Sequence, residues 1–261
     1  MRKKYFKNEI LDKIIQGDAE QILKKFPDNF VHLIVSSPPY NVGQPYEYYK
    51  DTQEYERYLE KMKRILNECY RVLVKGGRIV LNLPLCIKQH SLVTTYLAID
   101  FLLAMREIGF LDREIITWLK NLECQPVGKS ASWGSWKSAS NPVLRNCSEI
   151  LLVMHKETPE LKGSESDITK KEFLKWTTNC WLFSPSTPMR KFHPAPFPFE
   201  LPRRAIKMYS FVGQVILDPF CGTGTTCLVA KQLRRRYIGI DVSRKYCEIA
   251  RRFLSQVEFN F

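Results

Sequence analysis

The sequence lacks the residue patterns that bind metal ions. Its eight cysteines include no Cys-x-x-Cys pair, and its four histidines show no spacing typical of metal ligands. We therefore expect no metal site. We interpret the cysteines as reduced thiols of a cytoplasmic protein.

Long apolar runs are also missing. No stretch approaches the roughly 20 apolar residues of a transmembrane helix. The first ten residues, MRKKYFKNEI, are charged and lack the apolar core of a signal peptide. The sequence thus predicts no signal peptide and no membrane span.

Negative charge is scarce relative to positive charge. The chain has 40 Lys and Arg against 27 Asp and Glu, a formal net charge of +13. An excess of basic over acidic residues favours a polyanionic partner, although many basic proteins bind no polyanion. The 261 residues suffice for one large α/β domain, alone or with a small insertion.

Short apolar segments alternate with segments of helical periodicity. Residues 31–35, 215–218 and 237–241 are predicted strands, and 51–74 is a predicted helix that ends at Gly76-Gly77. Between 156 and 191 the pattern decays into prolines and mixed charge. This order predicts an α/β fold with a doubly wound, mostly parallel sheet and a small irregular insertion.

The segment VILDPFCGTGTT, 215–226, places an acid and a glycine-containing turn at the end of a predicted strand. Parallel α/β sheets bind ligands outside the carboxyl ends of their strands, and glycine lets the backbone approach a ligand. No Lys follows the glycines, and Cys227 stands where a dinucleotide fingerprint has its third glycine. We therefore expect a ligand other than a triphosphate or dinucleotide.

Two further predicted strands end in acids, in YIGID at 237–241 and QGD at 16–18. A carboxylate at such a position can accept hydrogen bonds from ribose hydroxyls. Asp18 also suits the N-cap of the helix predicted after it, and both interpretations can hold at once.

The segment SSPPY, 36–40, stops an apolar strand abruptly. Each proline lacks an amide donor and fixes φ, so tandem prolines continue neither a strand nor a helix. The pattern predicts a rigid turn at the edge of the sheet.

Together, DPFCGTGTT, IGID and SSPPY resemble motifs of the amino-group DNA methyltransferases, which move a methyl group from S-adenosylmethionine to cytosine N4 or adenine N6. Three more segments are similar: LNECYRVLVKGGRIVLNL (66–83), EIITWLKN (114–121) and HPAPFPFELPRRAI (193–206). SPPY precedes DPFCGTGTT, which matches the β arrangement of the family, a circular permutation of the fold. The resemblance implies a seven-stranded Rossmann-like methyltransferase sheet in which the QGD strand joins the IGID strand.

The resemblance also implies a division of the chain and roles for single residues. Residues 1–156 would be the catalytic half, 157–192 a small target-recognition insertion and 193–261 the cofactor-binding half. Ser37 and the Pro38 carbonyl would accept hydrogen bonds from the two hydrogens of the target amine, Pro39 would fix the turn, and Tyr40 would stack on a flipped base. Asp241 would hold the ribose of S-adenosylmethionine and Asp18 its adenine amino group. Residues near its methionine part would be Phe197, Asp218, Pro219, Phe220, Cys221, Gly222, Thr223, Gly224, Thr225 and Thr226.

Contacts with double-stranded DNA are predicted from the polar stretch around 132–145. Its basic residues are Lys129, Lys137 and Arg145. The tyrosine-rich segment 42–55 either closes over the base, contacts DNA or forms the core face of a helix. His193 alone is better explained as a structural histidine.

Ser at the first position of SPPY favours cytosine N4, because adenine enzymes of this family usually carry Asp or Asn there. The N6-adenine alternative stays open, as do an inactive DNA-binding relative and an RNA or protein methyltransferase. A C5-cytosine enzyme would need a Pro-Cys dipeptide, which the sequence lacks. The resemblance further implies a restriction-modification system, with a cognate endonuclease, and a monomer or homodimer.

Overall fold

The computed structural model of the chain describes residues 7–46, 49–88, 94–121, 137–140, 142, 146–185, 187–196 and 198–256. Its strands are β1 (Lys13–Gln16), β2 (Val31–Ser36), β3 (Leu73–Leu83), β4 (Ile87–Lys88), β5 (Thr94–Thr95), β6 (Phe110–Leu119), β7 (Ser148–Lys156), β8 (Cys180–Leu182), β9 (Val215–Asp218) and β10 (Arg236–Asp241). Its helices are α1 (Lys7–Ile10), α2 (Ala19–Leu23), α3 (Tyr55–Val72), α4 (Leu97–Ile108), α5 (Lys170–Trp176), α6 (Glu200–Tyr209), α7 (Thr225–Gln232) and α8 (Arg244–Gln256), with a short 3-10 turn at Pro188–Lys191.

The main sheet has the order β1-β10-β9-β2-β3-β7-β6-β8. Strand β7 is antiparallel to both of its neighbours, and all other pairs in this sheet are parallel. The predicted mostly parallel α/β sheet is therefore confirmed. The sheet has eight strands in the described residues rather than the expected seven, because the short strand β8 pairs with β6 at its edge.

The first and last strands along the chain are neighbours in the sheet. Strand β1 pairs with β10 in parallel register, with Gln16 opposite Asp241. Just beyond the pair, the Gly17 amide donates to the Asp241 carbonyl at 2.9 Å. The QGD and IGID segments therefore end side by side, as expected from the resemblance, whereas the circular permutation itself stays a prediction.

Helices cover both faces of the sheet. Side chains on successive strand residues point to opposite sides, so a central strand contributes to two cores. In β2, Ile34 joins the core formed with α2, α3 and α4. Its neighbours Leu33 and Val35 join the core formed with α6, α7 and α8. The strands between the two cores are thus buried on both faces, which explains their continuous apolar runs.

The prediction that Gly76-Gly77 ends a helix is wrong. Helix α3 ends at Val72, and both glycines lie inside β3. The pairing of β2 with β3 shifts register across them, and Gly76 has a left-handed φ of 75°. A Cβ on Gly76 would lie 1.9 Å from the Glu160 carbonyl oxygen, so glycine is needed for a close backbone crossing.

The segment 157–192 is irregular up to Thr169 and then forms α5 and β8. Its Trp176 and Trp181 side chains are buried. The Arg204 guanidinium of α6 lies 5.6 Å from the Trp176 ring centroid and 5.3 Å from that of Trp181. The second half of the segment is therefore packed onto the main domain. Its role in target recognition and the division at 156 and 192 stay predictions.

Among the helices of the described residues, none combines the length and apolar character needed to cross a membrane. Within the same ranges, no three His, Cys, Asp or Glu side chains are grouped so that they could hold a metal ion.

Candidate active site

The SSPPY turn lies at the carboxyl edge of the sheet, directly after β2. Ser37 Oγ is 2.6 Å from Tyr40 Oη, and the two hydroxyls lie 3.3 and 3.1 Å from the backbone carbonyl oxygen of Asn82 in β3. On the other side of the turn, the Tyr58 hydroxyl of α3 donates to the Pro39 carbonyl at 2.7 Å. The turn is thus fixed to both a strand and a helix.

Sequence reasoning missed a row of polar side chains beside this turn. Asn82 Nδ2 donates to Tyr40 Oη at 3.0 Å and to Glu149 Oε2 at 2.5 Å. Glu149, near the start of β7, also accepts from Lys120 Nζ at 2.5 Å. The available signal was Asn82, a single polar residue in the otherwise apolar run IVLNL.

Asp218 connects the turn to the loop after β9. Its side chain is buried, and Oδ1 accepts from Ser36 Oγ at 2.5 Å and from the Phe220 amide at 3.1 Å. Burial raises the pKa of Asp218 to about 6, although the hydrogen bond from Ser36 opposes this. These contacts hold SSPPY against DPFCGTGTT, and the direct role of Asp218 toward a cofactor stays a prediction.

The loop after Asp218 contains two glycines in a left-handed backbone conformation. Gly222 and Gly224 have left-handed φ angles of 50° and 84°. A Cβ on Gly222 would lie 3.1 Å from His193 Nε2, and a Cβ on Gly224 would lie 2.8 Å from the Cβ of Ala250. Side chains at these positions would collide or strain the turn. Gly222 therefore lets the loop pass close to His193, and Gly224 lets α7 begin close to α8.

The two acids predicted to hold a nucleoside lie at neighbouring strand ends. Asp241 Oδ2 accepts from the Gly222 amide at 2.9 Å and Oδ1 from the Ser243 amide at 2.8 Å. Burial raises the pKa of Asp241 despite these two donors. Asp18 caps α2 and forms an ion pair with Lys61 at 2.9 Å. Burial raises the pKa of Asp18, but Lys61 and the backbone donors outweigh it, and the pKa lies below the ordinary value.

Three aromatic rings line the same end of the sheet. The His193 ring centroid is 4.7 Å from that of Tyr246 and 5.8 Å from that of Tyr46. Burial lowers the pKa of His193 to about 4, so the ring is neutral at physiological pH. The position of His193 against Gly222 fits the structural role expected from the sequence.

The remaining predicted residues are the loop after β9, Lys137, and three residues outside the described ranges. Pro219, Cys221, Thr223, Thr225 and Thr226 are buried around the loop after β9, and Phe220 is partly buried there. Lys137 is exposed in a turn with a φ of 56°. Phe197, Lys129 and Arg145 lie outside the described residues, so their predicted roles stay predictions.

Comparison with known proteins identifies the family. The DNA methylase family profile matches residues 31–252, which include the SSPPY turn, the DPFCGTGTT loop and the IGID strand. The chain belongs to the DNA methylase family. This methylase is 37% identical over 158 residues to the type II methyltransferase M.MjaVI of Methanocaldococcus jannaschii, covering 60% of this chain and 78% of that one.

The fold has similar solved structures. TTHA0409 of Thermus thermophilus, a putative DNA modification methylase solved in complex with S-adenosyl-L-methionine, has a TM-score of 0.75 and 30% identity over 95% of both chains. The cytosine-N4-specific PvuII DNA methyltransferase has a TM-score of 0.72 at 22% identity, over 95% of this chain and 87% of that chain, which shows the shared fold.

Relatives of this methylase do not agree on the target base. The Escherichia coli protein YhdJ is named a DNA adenine methyltransferase and is 26% identical over 261 residues, covering 92% of this chain and 82% of that one. Family membership therefore supports methylation of an amino group but does not distinguish cytosine from adenine as the target base.

Proposed function

We propose that this protein is a site-specific DNA methyltransferase that moves the methyl group of S-adenosylmethionine to the exocyclic amino group of cytosine, at N4. The observation that carries the proposal is the hydrogen bond between Ser36 and Asp218. It joins the turn that would hold the target amine to the loop that would hold the cofactor, so both reactants would meet at one edge of the sheet.

The residues at this edge fit S-adenosylmethionine. Asp241 and Asp18 are carboxylates that can accept from the ribose hydroxyls and the adenine amino group. The Gly222 amide donates to Asp241 and so holds this carboxylate at the edge. Bound S-adenosylmethionine supplies a methyl group on a sulfonium, which is activated for transfer.

The turn contributes by positioning the amine. The amino nitrogen of a nucleobase is a weak nucleophile because its lone pair is delocalised into the ring. Ser37 and the Pro38 carbonyl accept from its two hydrogens and so favour a pyramidal nitrogen aligned with the methyl group. Tyr40 stacks on the base, which must first leave the duplex at a cost of a few kcal/mol.

The choice of cytosine N4 rests on Ser37 in place of Asp or Asn. A neutral hydroxyl and a carbonyl suffice to accept from the amine. Adenine N6 is the second candidate, supported by the relative YhdJ.

The test is mass spectrometry of nucleosides from DNA treated with the protein and S-adenosylmethionine. We expect N4-methylcytosine. Detection of N6-methyladenine without N4-methylcytosine would show that the target is adenine N6 and not cytosine N4. Methyl groups found only in RNA or protein, when these are offered as acceptors, would contradict a DNA enzyme.

The names of the relatives support a role in restriction-modification, since M.MjaVI is named a type II methyltransferase. We place this protein in the cytoplasm, on double-stranded DNA, within a restriction-modification system. An endonuclease that cuts the mapped site before but not after methylation would support such a system. Sedimentation would distinguish a monomer from a homodimer.

A further inference from the structure

Asn82 has no part in the function proposed above, yet it lies in the middle of the candidate active site. It is 1% exposed, in a stretch of β3 that is otherwise apolar. Burying an amide costs free energy unless its atoms are hydrogen-bonded. Its Oδ1 is buried and has no partner in the described residues, so packing alone does not explain an amide here.

The orientation of the Asn82 amide is fixed by Glu149. A carboxylate can only accept hydrogen bonds, so the atom 2.5 Å from Glu149 Oε2 must be Nδ2. The reverse orientation would set a carbonyl oxygen against the carboxylate. Glu149 is held in turn by Lys120, and both side chains are largely buried.

The residues of the row lie at one edge of the sheet, on or just after adjacent strands. Ser37 follows β2, Asn82 is near the end of β3, Glu149 is near the start of the antiparallel β7, and Lys120 follows β6. The row runs from Lys120 through Glu149, Asn82 and Tyr40 to Ser37, and each side chain contacts the next. It therefore connects the Lys120–Glu149 ion pair to the SSPPY turn.

The row also supplies hydrogen-bond partners for the hydroxyl groups of Tyr40 and Ser37. Burial, and then the Glu149 carboxylate, raise the pKa of Tyr40 well above its ordinary value, so its hydroxyl stays protonated and can donate. Asn82 Nδ2 donates to Tyr40 Oη, and one of the two hydroxyls donates to the other across their 2.6 Å contact. The hydroxyl that accepts across this contact can donate to the Asn82 carbonyl. In either arrangement Ser37 keeps a lone pair for an incoming amine.

We propose that Asn82 is a positioning residue for methyl transfer. The Lys120–Glu149 pair orients its carboxamide, and the carboxamide orients the Tyr40 and Ser37 hydroxyls so that Ser37 accepts from the target amine. This inference rests on the proposed methyl transfer and adds residues that lie outside the SPPY and DPFCGTGTT motifs.

A double-mutant cycle tests the inference, because residues that act through one another show non-additive effects. The variants are Asn82→Leu, which keeps the size of the side chain, and Tyr40→Phe, which removes only the hydroxyl. We expect each to lower the single-turnover rate about tenfold, the scale of one lost neutral hydrogen bond. The double variant should be no more than about twofold slower than the slower single variant.

Variants of Glu149 test the orienting step. Glu149→Leu should lower the rate about tenfold, because the amide loses its acceptor. Glu149→Gln retains a carbonyl acceptor and should recover most of that loss. If Asn82→Leu does not fold, Glu149→Leu combined with Tyr40→Phe gives the same cycle.

All rates are measured on unmethylated plasmid DNA, beside calorimetry of S-adenosylmethionine binding. Cofactor affinity should stay within about twofold of wild type, which excludes a general structural effect. Two results would overturn the positioning role. One is a double variant in which the rate losses of Asn82→Leu and Tyr40→Phe multiply, and the other is a native rate in Glu149→Leu. A wild-type protein that methylates no DNA would contradict the proposed function itself.

Discussion

The Asp241 carboxylate accepts a hydrogen bond from the Gly222 amide at 2.9 Å. This contact joins the end of β10 to the loop after β9. Through the pairing of Gln16 with Asp241, the same strand end lies beside the start of α2. Three segments, one of them from the opposite end of the chain, therefore meet at Asp241, where we place the ribose of the cofactor.

Replacing Asp241 should weaken cofactor binding. Asp241→Ala removes the carboxylate and should cost about 1.5–3 kcal/mol of S-adenosylmethionine binding, the scale of hydrogen bonds to a charged group. Calorimetry measures the affinity, and Glu248→Gln, an exposed carboxylate of α8, is the matched control. Because Asp241 also accepts from Ser243, the thermal stability of each variant must be measured too. Unchanged affinity would remove Asp241 from the site.

Replacing Ser37 should slow the chemical step and leave DNA binding nearly intact. Ser37→Ala removes one acceptor from the target amine, and the single-turnover rate should fall by roughly 10²–10³, as when one positioned hydrogen bond to a transition state is lost. DNA affinity should hardly change, because most of it comes from phosphate contacts and falls with salt. A near-native rate would place the chemistry elsewhere.

The backbone after the SSPPY turn is organised by Asp51. Its buried carboxylate accepts from the amides of Asn41, Val42 and Gln44 at 2.8, 3.0 and 2.9 Å. Asp51→Ala leaves these donors without their acceptor and should lower the free energy of unfolding by about 1.5–3 kcal/mol. Hydrogen exchange should accelerate at these three amides. Asp51→Asn, which keeps one acceptor oxygen, should lie in between, and unaltered exchange in Asp51→Ala would contradict this role.

Local signals in the sequence predicted most of the fold and the two main motifs. Apolar runs ending in Asp218 and Asp241 identified strands, because strands buried on both faces need continuous apolar residues. Tandem prolines identified the turn at 38–39 because they exclude regular structure on both sides. These signals lie within a few neighbouring residues.

Features that depend on contacts between distant residues could not be predicted in this way. Gly76 appeared to end a helix, but it permits β3 to pass close to the Glu160 backbone, which is remote in sequence. Likewise, the partners of the Asn82 side chain are Tyr40 in the turn after β2 and Glu149 of β7, and only the strand order brings them together. A polar residue in an apolar run indicates that such a partner exists without identifying it.

The half-buried ring of His193 gives a prediction about pH. Its pKa of about 4 lies below the 6.5 of an exposed histidine, because burial disfavours the charged form. Protonation therefore favours the unfolded chain. The contribution of His193 to stability is complete above about pH 6.5 and is lost progressively as the pH falls toward 4. Asp218 acts in the opposite direction, because its raised pKa of about 6 means that stability is lost as the pH rises.

Comparison of the wild-type protein with His193→Gln isolates this effect, since both proteins contain Asp218. Between pH 7.5 and pH 5, the wild type should lose about 2 kcal/mol more free energy of unfolding than the variant, as expected for a group whose pKa is 6.5 unfolded and about 4 folded. Denaturant titrations at the two pH values measure the difference. Equal losses in the two proteins would mean that His193 can take up a proton without leaving its place between Tyr46 and Tyr246, and the neutral ring would then not be a requirement of the fold.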